Sequence, residues 1–310
     1  MRTYRVGTRG SKLALWQAEH VIERLRATYP SDRFETVTIR TTGDKRMDVP
    51  LQAIGDKSLF TKEIEEALLA GAVDLAVHSL KDLPSRLDDR FAIAAVLERD
   101  DPRDVLLTPA GGGLQALAEH ARVGTSSLRR EAQLRAARPD VELVPIRGNV
   151  DTRLHKLRDG EYDAIVLAAA GLNRLGVSIP AEAYLEPEVC LPAPGQAAIC
   201  IETLAGRGEL VRALDHTRTR LAVEAERVFA AELDAGCRVP VGAYAEVPSP
   251  QPSPAVAGEG VGLRGMVASP DGRLIIRVQG TGTDPLELGR RLAKEALDQG
   301  AAELLQAPCP

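Results

Sequence analysis

Aromatic residues are scarce in this sequence, at 3% of its 310 positions. Single-stranded nucleic acids are usually bound by stacking their bases on aromatic side chains, so such a binding surface is not expected. The formal net charge of −5 also argues against non-specific nucleic-acid binding by the whole surface, although it leaves room for local basic clusters. We therefore expect no nucleic-acid partner.

Cysteine and histidine are few and scattered. The four cysteines, at 190, 200, 237 and 309, show no CxxC or other metal-ligand spacing, and the five histidines form no HxxxH pair. We expect no protein-bound metal, and in a reducing compartment the thiols should be free. Covalent chemistry would then have to come from a lone thiol or from carboxylates.

Long apolar runs are missing as well. The first residues, MRTYRVGTRGSKLALW, do not resemble a signal peptide, and no stretch approaches the ~20 apolar residues of a membrane span. A cytoplasmic protein with no membrane partner is the default expectation.

The chain does contain regularly alternating strand and helix patterns. Strand patterns such as DLAVHSL alternate with helix patterns such as TKEIEEALLAG, and the alternation restarts after RDDPRD. This order is typical of βαβ units and a largely parallel sheet. The last third has a different pattern of predicted elements. The strand patterns VGLRGMVAS and RLIIRVQG flank the hairpin signal Asp271-Gly272, and an amphipathic helix follows.

We therefore predict an α/β protein of two α/β domains with a cleft between them, plus a small α+β C-terminal domain. The predicted bounds are 1–98 plus about 197–218 for the first domain, 103–192 for the second and 220–310 for the third.

Three basic segments lie at predicted strand-to-helix junctions, and ligands of open parallel sheets bind at such strand ends. Free backbone N–H groups at a helix start, beside arginine side chains, favour anions. Arginine in a first helical turn is otherwise unfavourable against the helix dipole, so its repeated use predicts a polyanionic ligand. No GxxxxGK[ST] motif occurs, and bidentate arginines also suit a polycarboxylate. The junction residues are Arg9 and Ser11, then Ser127, Arg129 and Arg130, then Arg147, Asn149 and Arg153.

One predicted strand, DLAVHSLKDLPS, ends in an unusual way. Lys81 and Asp82 follow its apolar residues, and Pro84 cannot continue a central strand. A polar turn at a strand end is the ordinary interpretation. A functional lysine–carboxylate pair is the alternative.

Cys237 stands out among the cysteines because it lies in the predicted turn AGCRVP. A packed thiol is the ordinary interpretation of a cysteine. A turn beside glycine makes a thiol accessible, however, and Arg238 would favour its thiolate form.

Taken together, these segments resemble the hydroxymethylbilane synthase (porphobilinogen deaminase) family over essentially the whole chain. The matching segments, in the family's order, are TRGSKLALWQA, TTGD, AVHSLKDLPS, VGTSSLRREAQL, IRGNVDTRLHKL, AAAGLNRLG, LPAPGQ and AGCRVPVGAYA. Two small departures occur where the family usually has glycine, at Ser58 and Ala197.

The resemblance implies two domains akin to type II periplasmic binding proteins, with the active site in their cleft, in a protein that is a monomer. It implies that Cys237 carries a dipyrromethane cofactor through a thioether. Four porphobilinogens are then added with loss of ammonia, and hydrolysis releases the linear tetrapyrrole.

The resemblance also implies roles for individual residues. Asp82 would be the catalytic acid, which protonates the departing amine and then stabilises the cationic azafulvene. The residues implied to bind the cofactor are Lys81, Ser127, Arg129, Arg130 and Arg147, and those implied to bind substrate are Arg9, Ser11, Lys57, Asn149, Arg153 and Arg174. Gln196 lies in the PGQ turn where the chain would cross between domains, and we assign it either to a hinge or to a cofactor contact.

One alternative of another class remains from the fold alone. A solute-binding or sensor module with an anion cleft and no catalysis would explain the arginines. It would not explain Cys237 or the Lys81-Asp82 pair.

Overall fold

The computed structural model describes residues 1–45, 60–234, 240–248 and 260–306. Within these ranges the chain forms three sheets, two of five strands and one of three. None of the helices described is long and apolar enough to cross a membrane.

The first α/β unit is built on the strands β1 (Thr3–Arg9), β2 (Arg33–Ile39), β3 (Leu75–Ser79), β4 (Phe91–Val96) and β10 (Ile199–Leu204). Their order in the sheet is β2-β1-β3-β10-β4. The helices of this unit are α1 (Lys12–Thr28), α2 (Thr42–Lys45) and α3 (Lys62–Leu69). Helix α1 begins directly after Ser11, whose side chain accepts a hydrogen bond from the Ala14 N–H at 3.2 Å.

The second α/β unit has its own sheet of β5 (Asp104–Leu107), β6 (Arg122–Gly124), β7 (Glu142–Val144), β8 (Ala164–Ala168) and β9 (Tyr184–Leu185). The strand order is β7-β6-β8-β5-β9. Its helices are α4 (Leu128–Ala137), α5 (Val150–Arg158) and α6 (Ala169–Arg174), and each follows a strand.

The remaining elements form a small α+β unit. The antiparallel strands β11 (Val241–Glu246), β12 (Val261–Ala268) and β13 (Ile275–Gly282) pack with α7 (Thr217–Glu232), α8 (Pro285–Asp298) and α9 (Ala301–Gln306) around one apolar core. The predicted fold class, two α/β units and a small α+β unit, is confirmed. The predicted domain bounds stay a prediction.

Two chain segments cross between the α/β units: 97–103, from β4 to β5, and 186–198, from β9 to β10. Because β10 returns from the second unit, it enters the first sheet antiparallel to β3 and β4. The first sheet is therefore mixed, where the sequence predicted a largely parallel one.

Two helical predictions needed correction. The sequence pattern from about Glu209 to Leu233 predicts one long helix. The structure has a 3-10 segment (Glu209–Leu214) and then α7, because the His216 side chain accepts a hydrogen bond from the Thr219 N–H and starts a new helix. The C-terminal pattern is two helices, α8 and α9, separated by Gly300 in the left-handed conformation at φ 97°.

Candidate active site

A cavity of about 320 Å³ lies between the two α/β units. The side that the first unit contributes, here called the first wall, includes Arg9, Ser11, Asp44, Lys81 and Asp82. The side from the second unit, the second wall, includes Arg130, Arg147, Asn149 and Arg153. The three basic junctions predicted from the sequence therefore meet at one cavity.

Asp82 ends a single 3-10 turn, Leu80–Asp82, that directly follows β3. The Leu80 N–H donates to the Ala198 carbonyl at 2.9 Å, and the Leu80 and Leu83 side chains are buried in a common apolar cluster. These two leucines anchor the turn on both sides, and the polar side chains between them line the cavity. The break in the strand pattern thus presents Lys81 and Asp82 from a fixed backbone.

Lys81 occupies a strongly electropositive, partly buried position. Its Nζ lies 3.4 Å from the Gln196 Oε1. Burial and the Arg130 charge lower the pKa of Lys81 to about 8, against a smaller opposite effect of Asp82 and Asp104. The lysine is therefore a cation that can lose its proton in a mildly alkaline range.

Arg129 and Arg130 are neighbours in the first turn of α4, but they point to different places. Arg130 lines the cavity, and its guanidinium donates to the Val166 carbonyl at 2.9 Å and to Asp104 at 2.6 Å. Arg129 is buried behind the wall, where it pairs with Asp104 at 2.8 Å and donates to the Leu191 carbonyl at 2.5 Å. Burial alone would raise the pKa of Asp104, but the two guanidinium groups outweigh it and hold that pKa well below its usual range.

Arg153 completes the second wall from the first turns of α5. Its Nε donates to the Gly148 carbonyl at 2.8 Å. Burial, together with the charges of Arg130 and Arg147, lowers the pKa of Arg153 to about 10, while Asp82 acts in the opposite direction. Cations crowded into a part-buried wall repel one another, so the cavity favours a ligand with several negative charges.

On the first wall, Arg9 is already paired. Its guanidinium donates to Asp44 at 2.5 Å and lies over the Phe60 ring, 4.3 Å from the centroid. Burial of Asp44 is outweighed by Arg9, so the pKa of that carboxyl is lowered. Ser11 lines the cavity while its hydroxyl caps α1.

The two units also touch beside the cavity. Lys12 Nζ in α1 lies 2.8 Å from the Asp151 Oδ2 in α5. Arg174 in α6 donates to the Ala197 carbonyl, lies 3.7 Å from Asp100 and has its guanidinium 6.0 Å from the Trp16 ring centroid in α1. Arg174 lines the cavity, yet much of its hydrogen bonding goes to a crossing segment.

Some residues that the sequence singled out do not line this cavity. Arg129, Ser127 and Gln196 lie behind the second wall: Ser127 caps α4, and Gln196 is fully buried between the crossing segments. Their predicted roles as cofactor contacts stay predictions. Cys237 and Lys57, and the departure at Ser58, lie outside the described residues.

Sequence reasoning missed the two carboxylates that hold the arginines, Asp44 and Asp104. Asp44 ends the TTGD segment and Asp104 follows DDPR at the restart of the strand pattern. An aspartate at a strand start was a weak signal, because its arginine partners lie 25 and 26 residues away along the chain.

The fold and the cavity define a class of protein: a cleft between two α/β units, lined by several cations and by the carboxylates of Asp44, Asp82 and Asp151, which suits a ligand with several negative charges. Comparisons with known proteins give the family. Residues 4–212 match the family described as "Porphobilinogen deaminase, dipyromethane cofactor binding domain", and residues 220–298 match "Porphobilinogen deaminase, C-terminal domain". The chain belongs to the porphobilinogen deaminase family.

Relatives of nearly equal length agree with this assignment. A porphobilinogen deaminase of Xanthomonas oryzae pv. oryzae is 51% identical over 99% of this chain and 100% of its own length. One of Roseiflexus sp. is 50% identical over 98% of this chain and 99% of its own length. Family membership makes the chain a transferase of tetrapyrrole biosynthesis with a dipyrromethane cofactor, so the non-catalytic alternative is not favoured.

Solved structures with a similar fold were also found. The BenM effector binding domain with its effector benzoate has a TM-score of 0.43 and 16% identity, covering 69% of this chain and 88% of that chain. The Bordetella pertussis BvgS periplasmic VFT2 domain has a TM-score of 0.39 and 13% identity, covering 68% and 85%. Both TM-scores are below 0.5, so neither similarity carries an argument about this chain.

Proposed function

We propose that the chain condenses four porphobilinogen molecules, one at a time and each with loss of ammonia, on a dipyrromethane held at Cys237 by a thioether. Hydrolysis then releases hydroxymethylbilane. The observation that carries this proposal is the position of the Asp82 carboxylate, which faces a wall of cations in the cavity between the two units.

The residues of the cavity fit the cofactor. Each of its two pyrroles carries an acetate and a propionate, and the walls offer Lys81, Arg130, Arg147 and Arg153 to these carboxylates. Arg130 Nε is buried and has no hydrogen-bond partner among the described residues, as expected of a group that awaits an anion. When bound, the dipyrromethane supplies the nucleophilic pyrrole carbon to which substrate is added.

In this proposal Asp82 is the catalytic residue, first as acid and then as base. As a carboxylic acid it donates a proton to the amine nitrogen of porphobilinogen, so that ammonia leaves when the carbon–nitrogen bond breaks. The resulting carboxylate stabilises the positive charge that develops on the substrate, and it accepts the proton released from the attacked ring carbon. The anchored turn holds this group in one place through both stages.

In this proposal the arginines bind the carboxylates of the cofactor and the substrate and orient both molecules. Substrate carboxylates would be held by Arg147, Arg153 and Asn149 on the second wall and by Arg9 and Ser11 on the first. Arg9 pairs with Asp44 through its Nε and Nη2, so its Nη1 is the nitrogen that would meet a substrate carboxylate. Arg174 would act at the junction with the crossing segment. Lys57 would add a further cation.

We further propose that the protein acts as a cytoplasmic monomer. The reaction needs a small soluble substrate, and both walls of the cavity come from the same chain.

Mass spectrometry of the intact purified chain tests the proposal. The parent should carry an adduct of two pyrrole units, and Cys237→Ser should lack it. Cys190→Ser, Cys200→Ser and Cys309→Ser are matched controls that should keep the adduct, since the Cys190 and Cys200 thiols are fully buried. An adduct that survives Cys237→Ser would show that the attachment site is wrong.

A further inference from the structure

Asp104, the first residue of β5, is a buried carboxylate with an unusually complete set of partners. Its side chain has no solvent exposure. One oxygen accepts from Arg130 at 2.6 Å and from the Gln196 amide at 2.9 Å. The other lies 2.8 Å from Arg129 and 3.4 Å from the Cys190 thiol. An isolated buried carboxylate is very unfavourable, so the buried charge of Asp104 depends on these partners.

The contact with Arg130 fixes a group that lines the cavity. Two of the three guanidinium nitrogens of Arg130 are held from behind, one by Asp104 and one by the Val166 carbonyl of β8. A planar guanidinium held at two nitrogens keeps its plane and its rotamer. The direction from which Arg130 meets a ligand is thus set by two neighbouring strands of the second sheet.

The contact with Gln196 extends the same network to the first wall. Gln196 donates to Asp104 and to the Pro102 carbonyl at 2.7 Å, and its Oε1 lies 3.4 Å from Lys81 Nζ. Lys81 directly precedes Asp82. A single buried carboxylate is therefore connected to cations on both walls of the cavity.

We propose that Asp104 is a positioning residue: its carboxylate holds Arg130 in the cavity wall and, through Gln196, sets the place of Lys81 beside Asp82. This inference rests on the proposed function. It adds a residue that acts on the cofactor and substrate only through other side chains.

Asp104→Asn tests it, because asparagine keeps the size but removes the charge that holds the guanidinium groups. We expect folded protein by circular dichroism, a reduced fraction of chains with the two-pyrrole adduct by intact mass, and a KM for porphobilinogen raised about tenfold to a hundredfold, as misplaced binding groups produce. The matched control is Asp215→Asn. That aspartate is also paired with an arginine, Arg220, at 2.7 Å, but it does not line the cavity.

A second measurement distinguishes positioning from simple stabilisation. The charges around Lys81 are Arg129 and Arg130 on α4, Asp104 on β5 and Asp82 in its own turn, and of these the two aspartates raise its pKa. Without the Asp104 charge the pKa of Lys81 falls, so the alkaline limb of kcat/KM should move to lower pH. Asp215→Asn should leave that limb unmoved.

Loss of the Asp104 charge can also unfold the chain, because the buried guanidinium groups of Arg129 and Arg130 would then lack their counter-charge. In that event Asp104→Asn/Arg129→Gln restores the charge balance and is compared with Arg129→Gln alone. A lower adduct fraction and higher KM in the double variant support the inference.

The inference is overturned if folded Asp104→Asn has the same adduct fraction, KM and alkaline limb as the parent. It is also overturned if the double variant has the same three values as Arg129→Gln alone. The proposed function fails in a different way. A parent chain without any adduct would overturn the function and this inference together, whereas a loaded parent and an equally loaded variant overturn the inference alone.

Discussion

The first wall of the cavity carries both signs of charge, whereas the second wall consists mainly of guanidinium groups. On the first wall Arg9 is matched by Asp44, and Lys81 stands beside Asp82. On the second wall Arg130 is held from behind by Asp104, and Arg153 by the Gly148 carbonyl. The second wall therefore suits binding of carboxylates, and the first wall suits proton transfer. In the proposed function, the second wall would hold the growing polyanion while the first wall carries out the proton transfers.

The largest expected effect is on the first wall, at Asp82. Asp82→Asn keeps the size but can neither donate the proton nor carry the negative charge, so turnover should fall at least about a hundredfold. Asp82→Glu keeps the carboxylate about one methylene out of place and should retain partial activity. Ammonia release by the two variants at matched circular dichroism measures this. Parent-like turnover in Asp82→Asn would mean that the residue is only part of a turn.

A large effect is also expected from changes on the second wall, but there we expect weaker binding of cofactor and substrate and not a slower proton transfer. Loss of one partner of a buried charged group typically costs about 2–5 kcal/mol. Arg130→Leu and Arg147→Leu should therefore lower the adduct fraction seen by intact mass, or stall elongation, with the fold retained. Arg135→Leu, an exposed arginine of the same helix as Arg130, is the control and should behave like the parent. Full loading and parent turnover in both cavity variants would remove the distinction between the walls.

A smaller effect concerns the pH dependence of Lys81. Its ammonium form can hold a carboxylate, and its pKa of about 8 places the loss of that charge in a mildly alkaline range. The parent kcat/KM should therefore decline as pH rises through about 8. Lys81→Arg stays charged and should shift this decline to higher pH. Lys294→Arg on the surface of α8 is the control. An unchanged alkaline limb in Lys81→Arg would assign the limb to another group.

The smallest effect is expected on the free energy of unfolding, from a change at Ala197 in the crossing segment 186–198. Its φ of 72° is left-handed, which costs an L-residue about 1–2 kcal/mol. Ala197→Gly removes that strain, although glycine gives up about 0.5–1 kcal/mol through chain entropy. We expect a net gain in the free energy of unfolding of up to about 1 kcal/mol, measured by urea titration. Ala198→Gly, at a buried neighbour without positive φ, should instead lower stability.

Much of the site could be predicted from local patterns, because a strand-to-helix junction places its residues at the carboxyl end of a sheet. Ser11, Arg130, Arg147 and Arg153 reach the cavity for this reason, and so does Asp82 at its strand end. Adjacent residues on a helix point about 100° apart, so the sequence alone could not say that Arg130 faces the cavity and Arg129 does not.

What could not be predicted depends on contacts made by distant parts of the chain. Gln196 and Asp104 are separated by 92 residues and meet only because two crossing segments run side by side. The antiparallel entry of β10 has the same origin, since its direction is set by the return path from the second unit. Local periodicity carries no information about either arrangement.

Trp16 is the only tryptophan of the chain. It stacks on His20 in α1 and faces Arg174 of the second unit across the contact between α1 and α6. Indole fluorescence is sensitive to a nearby cation and to solvent, and no other indole contributes to the signal. The unmodified protein thus contains its own optical probe of the contact between the two units, and its signal can be recorded in real time as porphobilinogen is added.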